Sequence, residues 1–106
     1  MDSEERNLHL INLIANAGES KSCSLEAITA AEKGDFAAAR EKAEQAENSL
    51  LEAHAVHSQL LAIDASDKGP VPLDLLLVHA ATHLSNAELL VELSKHFITI
   101  LENKGE

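Results

Sequence analysis

Ala31-Glu32-Lys33-Gly34-Asp35-Phe36 decides the fold of this chain. Lys33 suits the last turn of a helix, where a cation meets the negative end of the dipole. Gly34 suits the left-handed position just past a helix end, and Asp35 suits the N-cap of a new helix. A connection this short returns the second helix antiparallel to the first.

The flanking segments carry the same message. Before the break, Ile11, Ile14, Gly18, Leu25 and Ile28 recur at three- and four-residue steps, which predicts a helix over about 4–33 with this stripe inward. Gly18 inside that helix suggests a close helix crossing. After the break, Phe36, Ala39, Ala43, Ala46, Leu50, His57 and Leu61 form the expected inner stripe of a helix over about 36–63. Arg40, Glu41, Lys42, Glu44, Glu47 and Glu52 read as its solvated face. The stretch Asp64 to Pro72 holds two prolines and a glycine and is a linker. A third helix is expected over about 74–103, with Asp74 its N-cap by residue type. That helix is apolar over most of its circumference, so it needs cover on more than one side, and we expect oligomerisation through it.

Composition agrees. The 106 residues fit a single domain spanning 1–106, and 45% of them are apolar, mostly Ala and Leu. Only Phe36 and Phe97 are aromatic, so the helix formers dominate and the expected class is all-α. A net charge of −10 argues against a nucleic acid partner and against an anionic membrane surface. No apolar run is long enough for a transmembrane helix, and the N-terminus lacks a signal-peptide layout, so the expected location is the cytoplasm. Cys23 is the only cysteine; it excludes an internal disulfide and reads as a small core residue.

Chemistry concentrates in the histidines, six in all. His54 and His57 are three positions apart on the second helix, and His79 and His83 are four apart on the third, so each pair shares a helix face. Three readings of His79 and His83 stay open on spacing alone. They are packed core or interface residues, or half of a metal site, or a nucleophile with its neighbour. A metal site would need further converging ligands, and Val78-His79-Ala80-Ala81-Thr82-His83 lacks the Glu of H-E-x-x-H. A nucleophilic role fits neutral imidazole, and a phosphate on His79 would feel the positive end of the third helix.

Four motifs, in order, resemble the lactose/cellobiose-type enzyme IIA components of the bacterial sugar phosphotransferase system. Ala17-Gly18-Glu19-Ser20-Lys21-Ser22 is similar to that family's A-G-[DE]-x-[RK]-S. Ala31 to Ala37 is similar to its A-x-x-G-D-F-x hairpin, and Glu52-Ala53-His54 to its E-A-H. Val78-His79-Ala80 and His83-Leu84 fall on its V-H-x-Q-D-H-L. The likeness spans roughly residues 8–102.

The resemblance implies a three-helix antiparallel bundle packed as a homotrimer through the third helix. It implies that His79 is the phosphorylated nucleophile, with His83 hydrogen-bonding in the phosphoryl pocket. The phosphoryl group would come from the carrier HPr and leave for a cysteine of the cognate enzyme IIB. It would end on a lactose-, cellobiose- or chitobiose-type sugar entering through IIC. No cofactor is implied. Ala81-Thr82 replaces the family's Q-D, whose Asp lies on the trimer axis and binds a metal ion. A hydroxyl there carries no charge to neutralise, so no metal is expected at Thr82. His57 replaces a usual Gln and is a possible helper of His79. The same departures frame an alternative function, a catalytically weakened IIA-like trimer kept for regulation or interaction.

Overall fold

A seven-residue step governs how the helices meet. The computed structural model describes residues 1–104 and contains three helices, α1 (Ser3–Glu32), α2 (Phe36–Asp64) and α3 (Leu75–Lys104), with no strand among the described residues. Each begins at an aspartate. The Asp2 carboxylate accepts from the Glu5 amide at 2.8 Å, Asp35 from Ala38 at 3.1 Å and Asp74 from Leu77 at 3.0 Å. Such caps satisfy amides that the helix itself leaves free. The α1–α2 turn closes with Gly34 at φ 81°, its amide donating to Ala31 O, while Asp35 N donates to Ala30 O. That paired closure needs the left-handed residue glycine supplies.

The buried residues of α1 are Arg6, Leu10, Leu13, Ala17, Ser20, Ser24, Ala27 and Ala31, joined by Cys23. Apart from Cys23 they alternate steps of four and three. On α2 the fully covered positions are Ala39, Ala46, Ala53 and Leu60, and on α3 they are Ala80, Leu84, Ala87, Val91, Ser94 and Ile98. A repeat of 3.5 residues keeps one seam facing its neighbours along a left-handed supercoil. Small seam residues let the backbones approach. Ser20 Oγ donates to the Ala46 carbonyl at 2.8 Å, a direct link from α1 to the α2 backbone.

The inward stripe expected for α1 is therefore displaced. Ile11 and Leu25 are 57% and 55% exposed, Ile14, Gly18 and Ile28 are half-buried, and the Ala and Ser positions beside them take the seam. A methyl group at Gly18 would meet nothing within 4 Å among the described residues, so no close crossing there explains that glycine. On α2, Leu61 faces outward and His57 is half-buried. The charged face of α2 is only partly free. Arg40 pairs with Glu102, Lys42 with Glu26 at 2.8 Å, and Glu47 with Lys95, stitching α2 to both neighbours.

The larger core residues gather toward one end. Leu10, Leu13, Leu60 and Leu84 pack there with Ala17, Ala53, Ala80 and Ala87. Full burial of each Leu contributes about 1.5–3 kcal/mol. The 65–74 linker runs over this end and is tied down. Asp64 Oδ1 accepts from Val71 N at 2.8 Å, and Arg6 Nη2 donates to Pro72 O at 2.9 Å and to Asp74 Oδ1 at 2.6 Å. Gly69 is required by space, since a Cβ would lie 2.3 Å from the Asp64 carbonyl oxygen. The start of α3 is thus fixed by α1, 68 positions earlier in the chain.

Candidate active site

His79 stands one turn into α3, exposed, and His83 lies one turn further, half-buried. Helical side chains lean toward the N-terminus, so the His83 ring rises over His79. Their Nε2 atoms are 3.1 Å apart, and the rings stand edge-on at 83° with centroids 4.5 Å apart. The other His83 nitrogen, Nδ1, accepts from Lys21 Nζ of α1 at 2.8 Å. A chain of three side chains therefore runs from α1 across α3 to an exposed imidazole.

Burial above all holds the His83 imidazole below its ordinary pKa, and the charges of Lys21 and His79 push the same way. His83 is accordingly neutral at physiological pH, with one ring nitrogen donating and the other accepting. A neutral imidazole beside an exposed one, with a lysine ammonium behind, suits an incoming anion.

The helix start contributes less directly than expected. Asp74 takes the amides of Leu77 and Val78, the first through its carboxylate at 3.0 Å and the second through its carbonyl at 3.1 Å. What remains for an anion at His79 is the helix field, which fades within the first turn, together with donors on side chains.

His57 is placed apart from this pair. It lines a cavity of about 570 Å³ between α2, the linker and α3, with Leu73, Leu77, Val78, Ala81, Thr82 and Ser85 among its other walls. Within one subunit no hydrogen bond joins His57 to His79 among the described residues. Thr82 Oγ1 donates to the Val78 carbonyl at 2.8 Å, and its exposed side chain borders that cavity. His54 faces Glu88 at 3.0 Å, well removed in register from His79. Cys23 is buried against α2, its thiol directed at Glu19 and Gln45, with a pKa raised chiefly by burial. No group of three or more His, Cys, Asp or Glu is arranged to hold a metal ion among the described residues.

Two residues central to this geometry carried no assigned role from the sequence. Lys21 appears there only as part of a motif, and Arg6 does not figure at all. Both act on α3 from α1, at separations of 62 and 68 positions that helical periodicity cannot report.

Comparison with known proteins brings in what these residues belong to elsewhere. The family model "PTS system, Lactose/Cellobiose specific IIA subunit" matches residues 9–102. The chain is 37% identical over 101 residues to the N,N'-diacetylchitobiose-specific EIIA component of Escherichia coli K12, covering 95% of this chain and 86% of that one. It is 37% identical over 98 residues to the lactose-specific EIIA component of Staphylococcus aureus, covering 92% and 94%. Among solved structures, the cellobiose-specific enzyme IIA of Bacillus anthracis superposes with a TM-score of 0.90 at 30% identity, covering 99% of this chain and 94% of that one. The chitobiose IIA in the solution structure of the IIA(chitobiose)–HPr complex of Escherichia coli gives 0.82 at 35% identity, covering 100% and 99%.

Proposed function

The chain belongs to the lactose/cellobiose-specific IIA family of the sugar phosphotransferase system, and on that footing we propose that it is a phosphocarrier whose nucleophile is His79. His79 accepts a phosphoryl group from the phosphohistidine of HPr and passes it to a cysteine of the cognate enzyme IIB. The transfer serves uptake of a lactose-, cellobiose- or chitobiose-type sugar through IIC. One observation carries this reading: the exposed His79 ring with its Nε2 held 3.1 Å from that of half-buried His83. A relative 35% identical to this chain has been solved in complex with HPr, which supports the same donor here.

In the transfer, a ring nitrogen of His79 attacks phosphorus as the P–N bond of the donor breaks, and the departing imidazole keeps the electron pair. His83 is the side-chain donor adjacent to the phosphoryl oxygens, and Lys21 adds positive charge behind it. His57, separated from His79 within one subunit, is a helper only if subunits bring them together.

We also infer a homotrimer built on α3. Val78, Thr82, Ser85, Leu89, Leu93, His96 and Ile100 are all exposed and form a stripe on the side of α3 opposite its buried stripe. Val78, Leu89, Leu93 and Ile100 leave large apolar side chains exposed along it, and such a run calls for a partner. Thr82 lies in that stripe without a charge, which supports an axis that needs no metal. No described helix is long and apolar enough to cross a membrane, and a carrier between HPr and IIB works in the cytoplasm.

The test is incubation with phosphoenolpyruvate, enzyme I and HPr, followed by intact mass. The wild-type chain gains one phosphoryl group and His79→Ala gains none. Acceptance by His79→Ala at the wild-type rate overturns the assignment. A wild-type chain that gains nothing points to a regulatory trimer instead.

A further inference from the structure

We infer that Lys21 is a positioning residue which, acting through His83, fixes which nitrogen of His79 carries a proton. The kinetic consequence rests on the phosphocarrier reading, whereas the protonation pattern belongs to the resting protein and stands apart from it.

The argument is a count of donors. A lysine ammonium has three N–H donors and no acceptor. Lys21 Nζ lies 2.8 Å from His83 Nδ1, so Nδ1 must offer its lone pair. The single proton of neutral His83 then sits on Nε2. That atom is 3.1 Å from His79 Nε2, which must accept, and the proton of His79 is left on Nδ1. Remove the lysine and the mirror arrangement becomes equally good: His79 Nε2–H donates to His83, and the attacking lone pair moves to Nδ1. Lys21 breaks this symmetry from another helix.

Two further observations agree. His83 is held below its ordinary pKa, first by burial and next by the Lys21 charge, so the doubly protonated ring that could not accept from Lys21 is disfavoured. Lys21 is half-buried and pairs with no carboxylate among the described residues, so its donors are not diverted.

The arrangement suits transfer. At rest the His83 N–H occupies the His79 lone pair. As the Nε2–phosphorus bond forms and the donor P–N bond breaks, that N–H is released and turns to a phosphoryl oxygen. His79 keeps its Nδ1 proton, and neither histidine gains or loses one.

The experiment is long-range ¹H–¹⁵N spectroscopy of the unphosphorylated protein near pH 8, for wild type, Lys21→Met and Lys21→Arg. In wild type, His83 Nδ1 and His79 Nε2 resonate as unprotonated acceptors. In Lys21→Met both shift toward the average of two tautomers, and Lys21→Arg restores them. The rate of phosphoryl acceptance from phospho-HPr falls about tenfold in Lys21→Met, the lower end of what losing the hydrogen-bond partner of a metal-ligating histidine costs, and recovers in Lys21→Arg. A wild-type His83 protonated on Nδ1 overturns the inference without any variant. So does a Lys21→Met protein with slowed transfer but wild-type tautomers, since Lys21 would then act only as a charge. A wild-type protein that takes no phosphate overturns the phosphocarrier reading, while the spectra still decide the role of Lys21.

Discussion

Arg6 and Asp74 join the first turn of α1 to the N-cap of α3, Nη2 to Oδ1, at 2.6 Å. The Arg6 side chain is 8% exposed and that of Asp74 49%, so the pair is rooted on one side and open on the other. The same guanidinium holds the Pro72 carbonyl at 2.9 Å. One side chain thereby sets where α3 begins, and His79 stands five residues beyond that cap.

Replacing Asp74 by Asn separates the charge from the cap, because Asn caps as well as Asp. The Asp74 carboxyl is held below its usual pKa, first by Arg6 and then by the Leu77 amide. A carboxylate depressed in the native state stabilises above its unfolded pKa of about 4 and loses that contribution as pH falls through the native value. Asp74→Asn is therefore less stable than wild type at pH 7, and the gap closes on acidification below about pH 4. Urea midpoints at pH 7, 5 and 3 measure it. A gap of constant size would mean that the cap geometry, and not the ion pair, had been damaged.

The helix count, the hairpin and the caps at Asp35 and Asp74 were legible because they are local. Gly34 and its neighbours specify a turn wherever they occur. The α2 stripe was legible in part, since Ala39 and Ala46 are buried as expected, but the α1 seam was not, because Ala17, Ser20, Ser24, Ala27 and Ala31 take much of it while Ile11 and Leu25 outweigh them on any hydropathy reading. Supercoiled helices with small seam residues bury the small side chains and leave large ones for other surfaces. At the site, spacing put His79 and His83 on one face. The motifs gave that face a meaning, but neither shows Lys21 behind His83.

Ser20 and Ser24 make a matched pair of tests for that seam. Both are fully buried on α1, but Ser20 Oγ donates to the Ala46 carbonyl, whereas Ser24 Oγ has no hydrogen-bond partner among the described residues. An unpaired buried hydroxyl costs about 1–3 kcal/mol, and a typical satisfied one contributes about 1 kcal/mol. Ser24→Ala should raise stability by about 1 kcal/mol or more, helped by the better helix propensity of Ala. Ser20→Ala should lower it by about 1 kcal/mol. Chemical denaturation of the two variants checks the opposite signs; equal shifts would refute the assignment.

His83 should titrate below about 6.5, the ordinary histidine value. Lys21→Met removes the second of its causes and leaves the first, burial, in place. Its midpoint should therefore rise but stay below the ordinary value. The unfolded chain takes up this proton near pH 6.5 while the native chain does not, so native stability falls from about pH 6.5 down to the native pKa and then levels. His83→Gln should show less of that fall. Histidine NMR titration, with urea midpoints between pH 8 and 5, checks both. A His83 midpoint unmoved by Lys21→Met would remove the charge from the account.

The exposed stripe of α3 makes the last prediction. Leu89 is 61% exposed at its middle, seven positions after Thr82 and seven before His96, so all three share one line of the helix. In a trimer closed by this line, covering the exposed part of Leu89 contributes about 1–2 kcal/mol per subunit, and Leu89→Glu replaces that with three like charges meeting at close range. Sedimentation should find trimers for wild type and monomers for Leu89→Glu. Thr82→Asp tests the axis itself. Three carboxylates brought within about 4 Å repel by roughly 4 kcal/mol per pair at an effective dielectric of 20, enough to make assembly depend on a bound cation. Chelator should dissociate Thr82→Asp trimers, added divalent cation should restore them, and neither should affect wild type. A wild-type trimer that falls apart in chelator would place a metal at the axis after all, held by something other than residue 82.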